Sequence, residues 1–65
     1  MVNFKQIRQE NGISLEYVSS ILKIRTYYLE AIENNCLEKL PGEAYVKGYT
    51  KMYVKFLENY YHHTH

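Results

Sequence analysis

The stretch GISLEYVSSILKIRTYYLEAIEN, residues 12–34, decides the fold. Gly12 offers the left-handed backbone that ends a helix cheaply, and Ser14 can cap the next one. Leu15, Val18, Ile21 and Leu22 then recur at helical spacing as one apolar face. Ile13 and Val18 occupy the two positions of a hydrophobic staple, and Glu16 in the first turn suits the positive end of the helix. Only Lys23 and Ile24 separate this helix from another predicted over residues 26–34. Its inward face is Tyr28, Leu29 and Ile32, and Asn34-Asn35 suits its end because asparagine tolerates the left-handed conformation.

Upstream, Asn3 and Gln6 have the spacing of a capping box, and Val2 with Ile7 that of a second staple, opening a helix that carries Phe4, Ile7 and Arg8. Downstream, Leu37 and Leu40 anchor a tight turn. Pro41-Gly42 then fits the start of a fourth helix, predicted from Glu43 to about Leu57, with Tyr60 as its furthest extent. Strand alternation, internal repeats, linkers and low-complexity runs are absent from the sequence. The expected fold is all-α, four to five short helices in one domain over residues 1–58, with a tail over 59–65.

Two short helices joined tightly, after a glycine-stopped one, have the layout of a helix-turn-helix. The segment resembles the lambda-repressor-like type. That likeness implies DNA recognition, with the third helix in the major groove; the competing reading is a helix pair used for protein contacts. A step of about 100° per residue turns Thr26, Tyr27, Glu30, Ala31 and Asn34 outward. Thr26 and Asn34 can read a base edge, and Arg25 can meet a phosphate. Against this, the outward face has no lysine or arginine, and Glu30 points towards phosphates. Residues 1–40 balance five cations (Lys5, Arg8, Lys23, Arg25, Lys39) against five anions (Glu10, Glu16, Glu30, Glu33, Glu38). DNA binding is therefore the second expectation, behind a protein partner.

The whole chain, 65 residues with eight Lys/Arg against seven Asp/Glu, has a net charge of +1. That balance excludes a domain held to nucleic acid by bulk charge, and 46% apolar residues argue against a disordered tail. No run approaches the roughly 18 apolar residues of a membrane span, and a signal-peptide pattern is lacking. The single cysteine, Cys36, fits a reducing compartment and the role of a small apolar filler. Aspartate is absent, the carboxylates are unpaired, and Ser14, Ser19 and Ser20 lie in no nucleophile motif. His62, His63 and His65 read as a solvated tail or an appended remnant rather than a metal site. The expectation is no enzyme, no cofactor, no metal and no small-molecule substrate.

The fourth helix is lopsided. Lys47, Lys51 and Lys55 recur every four residues, as do Tyr45, Tyr49 and Tyr53, and residues 41–57 carry +2, three lysines less Glu43. The lysines lie nearly opposite a stripe of Tyr45, Tyr49, Met52, Tyr53, Phe56 and Tyr60. The ridge is read as a solvated outer face, with an acidic protein or a membrane surface as alternatives. Gly48 costs about 1 kcal/mol in a helix, and the expected return is close approach of another group. Three short helices cannot cover the whole stripe and also satisfy every phenol. Some of these tyrosines, of the eight in the chain, should stay exposed, as at a protein interface.

The segment Ile7-Arg8-Gln9-Glu10-Asn11-Gly12-Ile13-Ser14-Leu15-Glu16, followed by Lys23-Ile24-Arg25 and Tyr28-Leu29-Glu30-Ala31-Ile32-Glu33, resembles the N-terminal cytoplasmic domain of the RodZ family. The most specific piece is Leu40-Pro41-Gly42-Glu43-Ala44-Tyr45-Val46-Lys47-Gly48-Tyr49, with Tyr53, Lys55, Phe56 and Leu57 after it. The likeness spans about residues 3–58. It implies a bacterial cell-shape protein whose cytoplasmic domain binds the actin-like MreB filament, at the inner face of the membrane. The family's single span lies well downstream, so the chain resembles the isolated cytoplasmic domain or an early-terminating relative. By motif, the filament contact falls on Tyr45 and Tyr49, with Tyr53, Lys47 and Lys51 as further candidates. Thr26 stands where the family usually has proline. The DNA-facing set implied by the repressor-like fold is Arg25, Thr26, Tyr27, Glu30 and Asn34.

Overall fold

The computed structural model describes residues 3–63, with side chains as far as Tyr60. Four α-helices and one 3-10 turn follow in order: α1 (Phe4–Glu10), α2 (Leu15–Leu22), α3 (Thr26–Glu33), the turn Leu37–Lys39, and α4 (Glu43–His63). No strand occurs among the described residues. The fold is all-α, as expected.

The caps explain where the helices begin and end. Asn3 accepts a hydrogen bond from the Gln6 amide at 2.9 Å, and Ser14 accepts one from the Tyr17 amide at 3.0 Å. The capping box predicted at α1 is only half made, because the Gln6 side chain turns forward to Glu10 at 3.1 Å. The Val2–Ile7 staple falls outside the described residues. Helix α1 ends in paired bonds, Gly12 N–H to Gln9 O and Ile13 N–H to Arg8 O, both 3.0 Å. Gly12 between them has φ +65°. The end of α3 repeats this arrangement, with Asn35 N–H to Ile32 O at 3.2 Å and Cys36 N–H to Ala31 O at 2.7 Å. Asn35 takes the left-handed position at φ 57°. Lys23, at φ 60°, makes the sharp α2–α3 corner in a conformation that lysine adopts at a cost.

The core gathers Ile13, Val18, Ile24, Leu29, Ala31, Ile32, Leu40, Tyr53 and Leu57. Two expectations about facing are corrected. Ile21, predicted inward, is 51% exposed, because α2 buries its Val18 side and leaves Ile21 on a flank. Ala31, predicted outward, is buried, and its carbonyl accepts the Cys36 amide from the segment that follows α3. The buried seam of α4 runs through Tyr53 and Leu57, at one edge of the aromatic stripe, so Tyr45 and Met52 are left at the surface. Helix α4 also continues past Asn59, where a tail was expected, as far as His63. Tyr60 packs against the core there and its ring meets Phe56 at 5.2 Å.

Candidate functional site

Three elements are tied together by a group that the sequence did not announce. Glu33 on α3 accepts hydrogen bonds from Arg8 on α1, Nε at 2.7 Å and Nη2 at 3.2 Å, and from the Tyr53 hydroxyl on α4. The Arg8 and Glu33 side chains are 12% and 3% exposed. Arg8 Nη1 also donates to the Ile13 carbonyl at 3.0 Å, fastening the α1–α2 corner. Burial first, then the bond to Glu33, raises the Tyr53 pKa well above its ordinary value. The Glu33 carboxylate raises that of Arg8. This network is structural: it fixes α4 against α1 and α3 and thereby positions the side chains of α4 that reach solvent.

The exposed product is a ribbon of four tyrosines. Tyr45, 48% exposed, meets Tyr49 edge-on at 5.4 Å. Tyr49 packs on Tyr28 of α3 at 6.0 Å, and Tyr28 meets Tyr27 edge-on at 5.6 Å. Tyr27 is 55% exposed, and the Lys39 ammonium sits 6.0 Å from its ring centre. The ribbon thus begins on the predicted filament-binding helix and ends on the predicted DNA-facing helix.

Of the predicted partner contacts, Tyr45, Lys47 and Lys51 are exposed and Tyr49 is half-buried. Tyr53 is corrected: it is wholly buried and its ring packs on Phe4 at 5.2 Å, so no partner can touch it in the folded domain. Of the DNA-facing set, Arg25, Tyr27, Glu30 and Asn34 are exposed and Thr26 is half-buried. The close approach expected at Gly48 is not made, since a Cβ there would meet nothing within 4 Å. Among the described residues, no cluster of His, Cys, Asp or Glu could hold a metal ion, and no helix is long and apolar enough to cross a membrane. His65 lies outside the described residues, and so do the side chains of His62 and His63.

A family model for a helix-turn-helix domain matches residues 4–59. The chain belongs to this helix-turn-helix family. A protein of Haemophilus influenzae described only as uncharacterized is 40% identical over 55 residues, which make up 83% of this chain and 18% of the relative. The helix-turn-helix domain therefore spans less than a fifth of that relative's length. No solved structure matches it. A helix-turn-helix domain suggests a module that binds DNA or protein.

Proposed function

We propose that this domain is a non-enzymatic adaptor, the cytoplasmic domain of a RodZ-like cell-shape protein, and that it binds the actin-like MreB filament through the Tyr45–Tyr49 edge of α4. The observation that carries this reading is Tyr45: a large amphipathic side chain, half exposed, ordered by its contact with Tyr49. A tyrosine held this way loses little conformational freedom on binding, which is what an energetic centre of an interface needs. Lys47 and Lys51 are exposed on the same helix but lie nearly opposite the Tyr45–Tyr49 edge, so they would meet only a partner that wraps around α4. The resemblance in the Leu40–Leu57 segment supports the same partner. In a full-length protein with a downstream span, the domain would work in the cytoplasm at the inner membrane face.

Co-sedimentation with polymerised MreB tests the proposal. Tyr45→Ala/Tyr49→Ala should lose binding while circular dichroism stays helical, and Tyr45→Ala alone should weaken it by about tenfold or more, a loss of about 1.4 kcal/mol. Normal binding by the double variant overturns the assignment.

A second reading, a DNA-binding regulator, has one observation in its favour: Arg25, Tyr27 and Asn34 are exposed on the helix that enters the groove in repressor-like domains. No lysine or arginine lies within α3 to anchor it on phosphates. Sequence-specific binding with a steep salt dependence would favour this regulator over the adaptor.

A further inference from the structure

Helix α4 repeats its own chemistry every four residues. Tyr45, Tyr49, Tyr53 and Leu57 form one series, and Val46, Thr50 and Val54 a second. Met52, Phe56 and Tyr60 form a third, and Lys47, Lys51 and Lys55 the outer one. A step of four residues is a single screw motion of the helix, about 6 Å along its axis with a turn of about 40°. A slide of that size towards the C-terminal end carries Tyr49 into the place of Tyr53 and Tyr53 into that of Leu57. Val46 takes the place of Thr50, Phe56 that of Tyr60, and the lysines replace one another at the surface. Tyr53 and Leu57 are buried, and Val46, Tyr49, Thr50, Val54, Phe56 and Tyr60 are half-buried. Most of the packed face therefore finds a similar side chain one turn away.

Two details favour this exchange. Tyr49 brings a phenol hydroxyl to Glu33 in place of the one Tyr53 donates, so the carboxylate keeps its partner. Val46 replaces Thr50 where the buried hydroxyl oxygen has no protein partner among the described residues. A slide in the opposite direction brings Leu57 to Glu33 and leaves the carboxylate short of a donor. Two features oppose the exchange. Leu57 is 2% exposed, and a tyrosine overfills a leucine's space. Leu40 is buried and anchors the connection into α4. Unwinding residues 43–45 lengthens that connection, since each residue passes from about 1.5 Å to about 3.3 Å of rise, which supplies most of the 6 Å.

We propose that α4 has a second docking register one turn along its axis, held as the minor state by the Leu57 site and the Leu40 anchor. Packed interfaces are bistable rather than continuously deformable, and a one-turn ratchet of a helix is one form that this takes. The shift withdraws the exposed tyrosine edge: Tyr49 enters the core, and Tyr45 leaves with the unwound turn. That consequence rests on the filament reading, whereas the second register does not.

Tyr53→Leu tests the proposal. It removes the hydroxyl from the present register and supplies a leucine to the Leu57 site in the other, so it should invert the preference. In NMR of the labelled variant, the Phe4 ring, which packs on Tyr53 at 5.2 Å, should show nuclear Overhauser contacts to Tyr49. The Tyr17 ring, beside Phe56 at 6.4 Å, should contact Met52. Adding Tyr49→Phe removes the replacement hydroxyl and should cut the shifted-to-unshifted ratio about tenfold. In the unsubstituted domain, relaxation dispersion should detect microsecond-to-millisecond exchange at Tyr53 and Leu57. A Tyr53→Leu domain that keeps the original register, an unfolded one, or flat dispersion profiles at Tyr53 and Leu57 in the parent would overturn the proposal. Loss of MreB binding by the shifted variant supports the withdrawn edge. Normal binding by a variant shown to be shifted would count against the filament contact and leave the second register standing.

Discussion

Glu33 accepts bonds from two other helices while it sits on α3, and the free energy of that arrangement is concentrated in one carboxylate. Removing one member of a buried ion pair leaves the other charge uncompensated, at a cost of about 3 kcal/mol. Total stability for a domain of this size is only about 3–10 kcal/mol. Glu33→Ala should therefore lose about a third of it or more in urea denaturation, whereas Arg8→Met/Glu33→Leu/Tyr53→Phe should lose much less than Glu33→Ala, since no charge or hydroxyl is left unpaired. Tyr53 also links the network to pH. Its pKa is raised in the folded state from an ordinary 10.0, so above about pH 10 the unfolded chain releases a proton that the folded one retains. Stability is full below pH 10 and falls as pH rises through the alkaline range. Burial and Tyr17 raise Tyr60 in the same direction. Tyr53→Phe should accordingly reduce the alkaline slope by about one proton without abolishing it. A smaller residue effect is at Thr50, whose buried hydroxyl oxygen has no protein hydrogen-bond partner among the described residues. Thr50→Val should raise the urea midpoint, equivalent to about 1 kcal/mol.

At the scale of elements, α4 shows what periodicity can and cannot say. Tyr45, Tyr49 and Tyr53 look like one face, but four residues overshoot a full turn by about 40°. Two such steps carry Tyr53 into the core while Tyr45 stays at the surface, a rotation that strict bookkeeping of the 3.6-residue period can reveal. Gly48 lies on the exposed side of this helix in open space. Gly48→Ala should stabilise the domain by about 1 kcal/mol in thermal or urea unfolding. No stabilisation would mean that the folded domain opposes a Cβ at this position, contrary to the open space around it. The helix starts and stops at Asn3, Gly12, Ser14 and Asn35 were legible because each rests on a local rule of backbone chemistry. Arg8, Glu33 and Tyr53 were not, because nothing local relates residues 20 and 25 positions apart. Ile21 and Ala31 were misplaced for a related reason. Each sits near the boundary of its helix's apolar face, where the packing partner rather than the pattern decides exposure.

For the whole molecule, the ribbon has a functional consequence. Tyr27 belongs to the helix that would read DNA, and it connects through Tyr28 and Tyr49 to Tyr45, which would meet the filament. A partner large enough to cover Tyr45 and Tyr49 reaches the outward side of α3, so the two uses should exclude each other. If both occur, MreB should displace bound DNA in a competition assay, and a ternary complex would contradict a shared surface. The central claim, that the solvent edge of α4 is the docking surface, is tested most directly by solution NMR of the labelled domain titrated with MreB. The ring signals of Tyr45 and Tyr49 should change first, followed by those of Tyr28 and Tyr27, while those of buried Tyr53 stay put. Changes confined to residues away from the ribbon, or none at saturating MreB, would contradict it.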